Sequence, residues 1–208
     1  MKAIIFDLNK TLIHENSWYE LNMNLGVTEE QDAHLMELGA KGEITDQQGQ
    51  EILLRIYKEN GQHSKKHIES ILSQYTYMHY AKEIISYVKI KGYTPILISG
   101  GIDILVEKIA RELGILYWSA NNSFIFDDKG YLDEIITEDN DKYAKYNQVL
   151  ILSKQLGFNV KDAICVGDGD NEKEIFELTE HGITFKGSKL ENIAWKVIDT
   201  LEDIKKII

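Results

Sequence analysis

Ala3-Ile4-Ile5-Phe6-Asp7-Leu8-Asn9-Lys10-Thr11-Leu12-Ile13 is the stretch that decides how the chain is read. Ala3 to Phe6 is an unbroken apolar run, the pattern of a strand buried on both faces, and it stops at a carboxylate. Asn9 and Thr11 follow Asp7 at alternate positions. In open α/β sheets ligands bind in the crevice beyond the carboxyl ends of the strands, and a carboxylate there is a competent nucleophile toward phosphoryl groups. A strand that ends in Asp is common, so the weight comes from polar clusters that follow later apolar runs.

Two such clusters stand downstream. Thr94-Pro95-Ile96-Leu97-Ile98 reads as a second strand, with Pro95 at its start where a missing N–H is tolerated. Ser99-Gly100-Gly101 follows and is expected to open a helix, whose free N–H groups and positive dipole end would receive an anion; a bare tight turn with a serine cap is the alternative. Ala163 to Val166 is a further buried strand, followed by Gly167-Asp168-Gly169-Asp170-Asn171-Glu172. Carboxylates crowded at a strand end repel one another unless a cation sits among them, and hard oxygen donors suit Mg²⁺. A solvated turn with Asp170 or Asn171 as a helix cap is the competing reading. A lysine on the helix before that strand, Lys142, Lys145 or Lys154, is the remaining element, and composition selects none of the three.

Between the first two strands the pattern is helical. Trp18, Leu21 and Leu25 fit one helix closed by Gly26, and Thr28 with Gln31 is a capping box for a second carrying Leu35 and Leu38. Thr45 with Gln48 repeats that signal ahead of Ile52, Leu53 and Ile56, and Ser64 with His67 starts a fourth helix. Residues 14–79 are therefore expected to form a small helical cap, inserted into an α/β core made of residues 1–13 and 80–208. From Tyr80 onward helices and apolar strands alternate: a helix over 81–91, another from Ile102 to Leu113, a strand near Ile115 to Trp118, then a hairpin about Asp127-Asp128-Lys129-Gly130. A helix over Lys142 to Leu156 and strands at Ala163 to Val166 and Ile183 to Phe185 complete a doubly wound, Rossmann-like parallel sheet.

With 208 residues the chain can bury a sizeable core, and its composition, 43% hydrophobic and 27% charged, is that of an ordinary globular protein. A net charge of -11 argues against a nucleic-acid partner, which needs a basic face. The single cysteine, Cys165, lies inside an apolar strand and reads as a buried structural thiol. No basic leader with an apolar core is present and no apolar run approaches the length of a membrane span, so the expectation is a cytoplasmic monomer or homodimer with no membrane partner.

Taken together these segments resemble the haloacid-dehalogenase superfamily, in its phosphoserine-phosphatase-like branch with a helical cap. Phe-Asp-Leu-Asn-Lys-Thr-Leu is similar to its Asp-x-Asp-x-Thr motif, Ile-Leu-Ile-Ser-Gly-Gly to its second motif and Val-Gly-Asp-Gly-Asp-Asn-Glu to its fourth. The resemblance implies a Mg²⁺-dependent phosphatase of small phosphorylated metabolites, with Asp7 as the nucleophile that becomes an aspartyl-phosphate. Thr11, Ser99 and the Gly100 N–H would hold phosphate oxygens. The family's lysine stands twelve residues before the glycine ending its helix, which counts back from Gly157 to Lys145. Asp7, Asp168 and the backbone carbonyl of Asn9 would bind Mg²⁺, with Glu172, where the family has Asp, reaching the metal through water. Asn9 departs from the pattern, since the family carries there the Asp that exchanges protons with the leaving group and the attacking water. An amide can do neither. Either an isosteric substitution made to trap a complex, with Asp as the natural residue and the rest of the site intact (the favoured reading), or a naturally impaired relative fits that departure. A catalytically silent phosphate-ester-binding protein and a phosphotransferase are the alternative activities. For the substrate, the family's cap-linker Glu aligns with Asn16, one residue after Glu15. Its carboxylate-binding arginine falls near Leu53, with Arg55 two residues later, so phosphoserine itself is doubtful.

Overall fold

The computed structural model describes residues 1–138 and 141–208, with the side chains of all of these except 141 and 142. Strand β1 (Lys2–Phe6) lies inside a seven-stranded sheet of order β4-β3-β2-β1-β5-β6-β7. On one side of it stand β2 (Tyr93–Ile102), β3 (Tyr117–Phe126) and β4 (Leu132–Thr137); on the other stand β5 (Ile164–Val166), β6 (Gly182–Phe185) and β7 (Lys196–Ile198). Every pairing is parallel except β3 with β4. The apolar strands divide their side chains between two cores. Ile4, Phe6, Leu97 and Val166 pack on one face of the sheet, while Ala3, Ile5, Ile96, Ile98 and Cys165 pack on the other. Strand side chains alternate faces, so an all-apolar run needs cover on both. The sheet is thus an α/β fold of the doubly wound kind.

Four helices follow β1: α1 (Ser17–Asn24), α2 (Glu29–Lys41), α3 (Asp46–Asn60) and α4 (Lys65–Leu72). Both capping boxes form as their spacing suggests, Thr28 with Gln31 and Thr45 with Gln48. Helix α5 (Ala81–Ile90) then leads into β2, α6 (Asp103–Glu112) follows it, α7 (Asp141–Leu156) returns the chain to β5, and α8 (Lys173–Thr179) precedes β6. Among the described residues no helix is long and apolar enough to cross a membrane. Cys165 is free and buried, and burial pushes its thiol well above the usual range.

Two expectations are corrected. Ser99-Gly100-Gly101 does not open a helix; β2 runs through it to Ile102, with a register shift against β3 between Ser99 and Ile102, and α6 starts at Asp103. The bulge is held from outside, because Asn122 Nδ2 donates to Gly100 O at 3.0 Å and Trp18 Nε1 donates to the same oxygen at 3.3 Å. The strand expected near Ile115 to Trp118 starts only at Tyr117 and runs on without a break through the first arm of the hairpin as one β3. Its polar middle can be buried because Asn121 accepts from Gln148 Nε2 at 2.8 Å while Asn122 reaches Gly100.

Candidate active site

The chain lays down β1 to β4 in one direction and returns to place β5 against the free edge of β1, so the topological switch lies between β1 and β5. Asp7 extends β1 into that gap, its N–H donating to Val166 O at 2.9 Å. Asp168 lies two residues past the end of β5. From α7 Lys145, 1% exposed, donates from Nζ to Asp7 Oδ1 at 2.6 Å and to Glu172 Oε1. Burial alone would push this ammonium toward neutrality, but Asp7 and Glu172 outweigh it and hold the lysine above its usual pKa. Of the three lysines considered, Lys154 is exposed and the side chain of Lys142 lies outside the described residues.

Glu172 is also buried; its Oε2 accepts the Gly169 N–H at 2.8 Å. Asn171, with its amide turned to suit its neighbours, accepts from Lys145 Nζ at 3.2 Å and donates to Glu172 Oε1 at 2.9 Å. Burial, reinforced by Asp7, raises the Asp168 carboxyl to about 6. For Glu172 burial and Asp7 outweigh the opposing Lys145, and its carboxyl rises to about 7. Asp7, Asp168 and Glu172 each offer one oxygen, all within 4.8 Å of one another. Three converging carboxylates against the buried Lys145 and, at longer range, Lys10 leave an excess of negative charge, and two of them resist ionising. A hard divalent cation such as Mg²⁺ fits that all-oxygen set and would relieve the repulsion.

Asn9 closes the opposite side. Its Oδ1 accepts the Ser17 N–H at 3.2 Å, which leaves Nδ2 as the free end of the amide. Gly101 keeps space open here, since a Cβ on it would stand 3.0 Å from Ser99 Oγ, 3.6 Å from Ser17 Oγ and 3.7 Å from Asn9 Nδ2. Ser99 Oγ accepts the Gly101 N–H at 3.0 Å. Thr11 and Ser99 are completely buried and neither borders the cavity described next; among the described residues Thr11 Oγ1 and Ser17 Oγ meet no hydrogen-bond partner.

A cavity of 610 Å³ opens over these groups, bordered by Asp7, Asn9, Lys10, Gly100, Lys145, Asp168 and Glu172 on one side and by α1 to α3 on the other. Asn16 borders it, with Oδ1 capping α1 through the N–H groups of Trp18 and Tyr19. Glu15 does not; its carboxylate accepts the Thr76 N–H and ties the segment entering α1 to the segment leaving α4. Arg55 also fails to reach the cavity and lies in a separate shallow hollow with Glu51, Leu54 and Lys58. At about 100° per residue, a helix that turns Leu53 toward the cavity turns residue 55 away from it. Asn171, Asp32 and Gln50 border the cavity without having been singled out as site residues. Only Asn171 carried a sequence signal, its place between Asp168 and Glu172.

A family model described as a haloacid dehalogenase-like hydrolase matches residues 1–176. A phosphoserine phosphatase of Methanocaldococcus jannaschii is 28% identical over 186 residues, which cover 88% of this chain and 85% of that protein. One from Streptococcus thermophilus is 26% identical over 222 residues, covering 98% and 97%. Among solved structures, a phospho-aspartyl intermediate analogue of phosphoserine phosphatase superposes with a TM-score of 0.81 at 28% identity, covering 100% of this chain and 98% of that one. A substrate-bound phosphoserine phosphatase gives a TM-score of 0.80 at 27% identity, with the same coverage.

Proposed function

The chain belongs to the haloacid dehalogenase-like hydrolases, and from that premise we propose that it is a Mg²⁺-dependent phosphatase of small phosphorylated metabolites, acting through Asp7. The observation that carries the proposal is the buried Lys145 ammonium, 2.6 Å from Asp7 Oδ1 on the floor of the cavity. That contact pins one carboxylate oxygen and leaves the other to attack phosphorus. The new Asp7–phosphorus bond forms as the ester P–O bond breaks, and water then attacks phosphorus to release inorganic phosphate and restore the carboxylate. Lys145 neutralises charge on Asp7 and on the transferring group, in a site where water is scarce and fixed charges act strongly. Asp7, Asp168 and Glu172 would hold Mg²⁺, which when bound supplies further neutralisation of the phosphoryl oxygens. Gly100, which borders the cavity, is assigned to phosphate through its N–H from the side of β2, while Ser99 and Thr11 lie completely buried behind the cavity surface. Residues 14–79 act as a cap over a core of residues 1–13 and 80–208, closing the cavity from above.

Asn9 sets the rate. Its free Nδ2 can donate a hydrogen bond to the leaving oxygen but has no proton to give up, and it cannot take one from water. Removing a positioned acid/base costs roughly 10²- to 10⁴-fold. The unaltered chain is therefore expected to turn over slowly, and Asn9→Asp to gain roughly 10²- to 10⁴-fold in p-nitrophenyl phosphate hydrolysis with Mg²⁺. A flat response would favour the second reading that Asn9 itself motivates, a phosphate-ester-binding protein without turnover. Product other than inorganic phosphate on adding alcohols would instead identify a phosphotransferase.

A further inference from the structure

The cavity wall built by α1 to α3 carries information about the substrate that the floor does not, and reading it rests on the phosphatase assignment above. Among the described residues, the two lysines bordering the cavity, Lys10 and Lys145, belong to the floor. The wall, from Asn16 to Leu53, contributes no Lys, Arg or His. A leaving group bearing a carboxylate would find no cation there.

What the wall presents is acceptors. Asp32 borders the cavity and is anchored from behind: Asn22 Nδ2 donates to its Oδ1 at 2.6 Å, and the completely buried Tyr57 hydroxyl donates to Asn22 Oδ1. No cation among the described residues forms an ion pair with Asp32. Gln50, also on the wall, has a buried Oε1 that meets no hydrogen-bond partner among the described residues. A structural tie between α1 and α2 accounts for one oxygen of Asp32, but it leaves Gln50 unexplained. Trp18 and Tyr19 add aromatic rings to the same lining.

A held carboxylate, an orphaned carbonyl oxygen and aromatic rings together suit an ammonium group, which has three donors and no acceptor and is drawn to ring faces. The same wall repels a carboxylate. We propose that this site selects phosphomonoesters of short amino alcohols, bearing an ammonium and no carboxylate, with Asp32 and Gln50 receiving the ammonium.

The test is calorimetric titration of the unaltered chain, with Mg²⁺, using O-phosphoethanolamine, n-propyl phosphate (the same shape without the charge) and O-phosphoserine. O-phosphoethanolamine is expected to bind about tenfold more tightly than either of the others, the scale of a charge-assisted hydrogen bond. Asp32→Asn should bring the O-phosphoethanolamine to n-propyl phosphate ratio down by about tenfold, with Gln50→Leu and Tyr57→Phe lowering it in the same direction. Circular dichroism checks that each variant is folded, and Gln50→Leu reads the wall independently if Asp32→Asn is not. Equal binding of the charged and uncharged esters, tighter binding of O-phosphoserine, or an unchanged ratio in folded Asp32→Asn would overturn the proposal. If the Asn9→Asp protein hydrolyses all three esters alike, the phosphatase reading stands and only the amino-alcohol assignment fails. If nothing binds and p-nitrophenyl phosphate is not hydrolysed, both fail.

Discussion

Gly167 is where the extra methylene of Glu172 is absorbed. A Cβ on Gly167 would stand 2.4 Å from Glu172 Cγ, and one on Gly169 would stand 3.1 Å from Glu172 Oε2. The two missing side chains let the longer acid fold back, so that one oxygen meets Lys145 and the other meets the Gly169 N–H. Gly167→Ala is therefore expected to cost about 1–3 kcal/mol, the range for overpacking a tight interior, and Gly167→Ala with Glu172→Asp should recover part of the loss. Urea unfolding of the four members of that cycle measures the coupling, and strictly additive effects would show that Glu172 is not what the glycine accommodates. At this scale Asp7, Asp168 and Glu172 drew notice because each follows an apolar run, whereas Lys145 was singled out only by the family resemblance, since composition favoured none of the three lysines. Asp32 and Gln50 were not. Their meaning lies in which way a helix face turns, and nothing adjacent in the chain marks it.

Among the elements, α2 and α3 were the most legible, because capping boxes write a helix start into four consecutive residues. The bulged end of β2 was illegible for the opposite reason: the groups holding it, Asn122 and Trp18, come from β3 and α1. The same kind of distant contact docks α3 on the hairpin. Gln47 Nε2 donates to Ile135 O at 3.2 Å and its Oε1 accepts the Thr137 N–H at 3.2 Å, so one amide pairs with the outer edge of β4 as a neighbouring strand would. Lys58 Nζ adds a bond to Asp133 O at 2.9 Å. An edge strand left bare is open to unwanted pairing, so the clasp both shields β4 and holds the proposed cap to the core. Gln47→Ala should cost about 1–2 kcal/mol for the two lost bonds. Hydrogen exchange at the Thr137 amide is the direct check. It should accelerate while amides in β1 stay unchanged, and unaltered protection at Thr137 would mean that the amide pairing contributes nothing.

The whole molecule stores unfavourable charge at one point, the switch between β1 and β5, and there sequence and structure tell one story at different resolution. The acids crowded after β5 already suggested a cation; that they converge with Asp7 on a buried lysine needed the sheet order, with β5 returned to the side of β1. The consequence is a pH dependence of global stability. Asp168 titrates at about 6 in the fold against an ordinary 3.8, and Glu172 at about 7 against 4.5. Between those ordinary and shifted values the folded protein holds more protons than the unfolded chain, so stability falls as pH rises through the window and stays low above it. Lys145 is shifted upward from 10.5, is charged in both states across this range and adds no slope. A divalent cation at this site would bind the ionised carboxylates, so its stabilising effect would grow in the direction in which the metal-free protein weakens. Metal-free protein should therefore melt at a lower temperature at about pH 7.5 than at about pH 5, while millimolar Mg²⁺ should raise Tm at the higher pH and barely move it at the lower. Asp168→Asn removes one of the groups that must ionise, so it should flatten the metal-free profile and shrink the Mg²⁺ shift together. Thermal melts across that range, with and without Mg²⁺, decide it: a metal-free Tm that climbs over the same window would mean the three carboxylates are not held against one another as the fold places them.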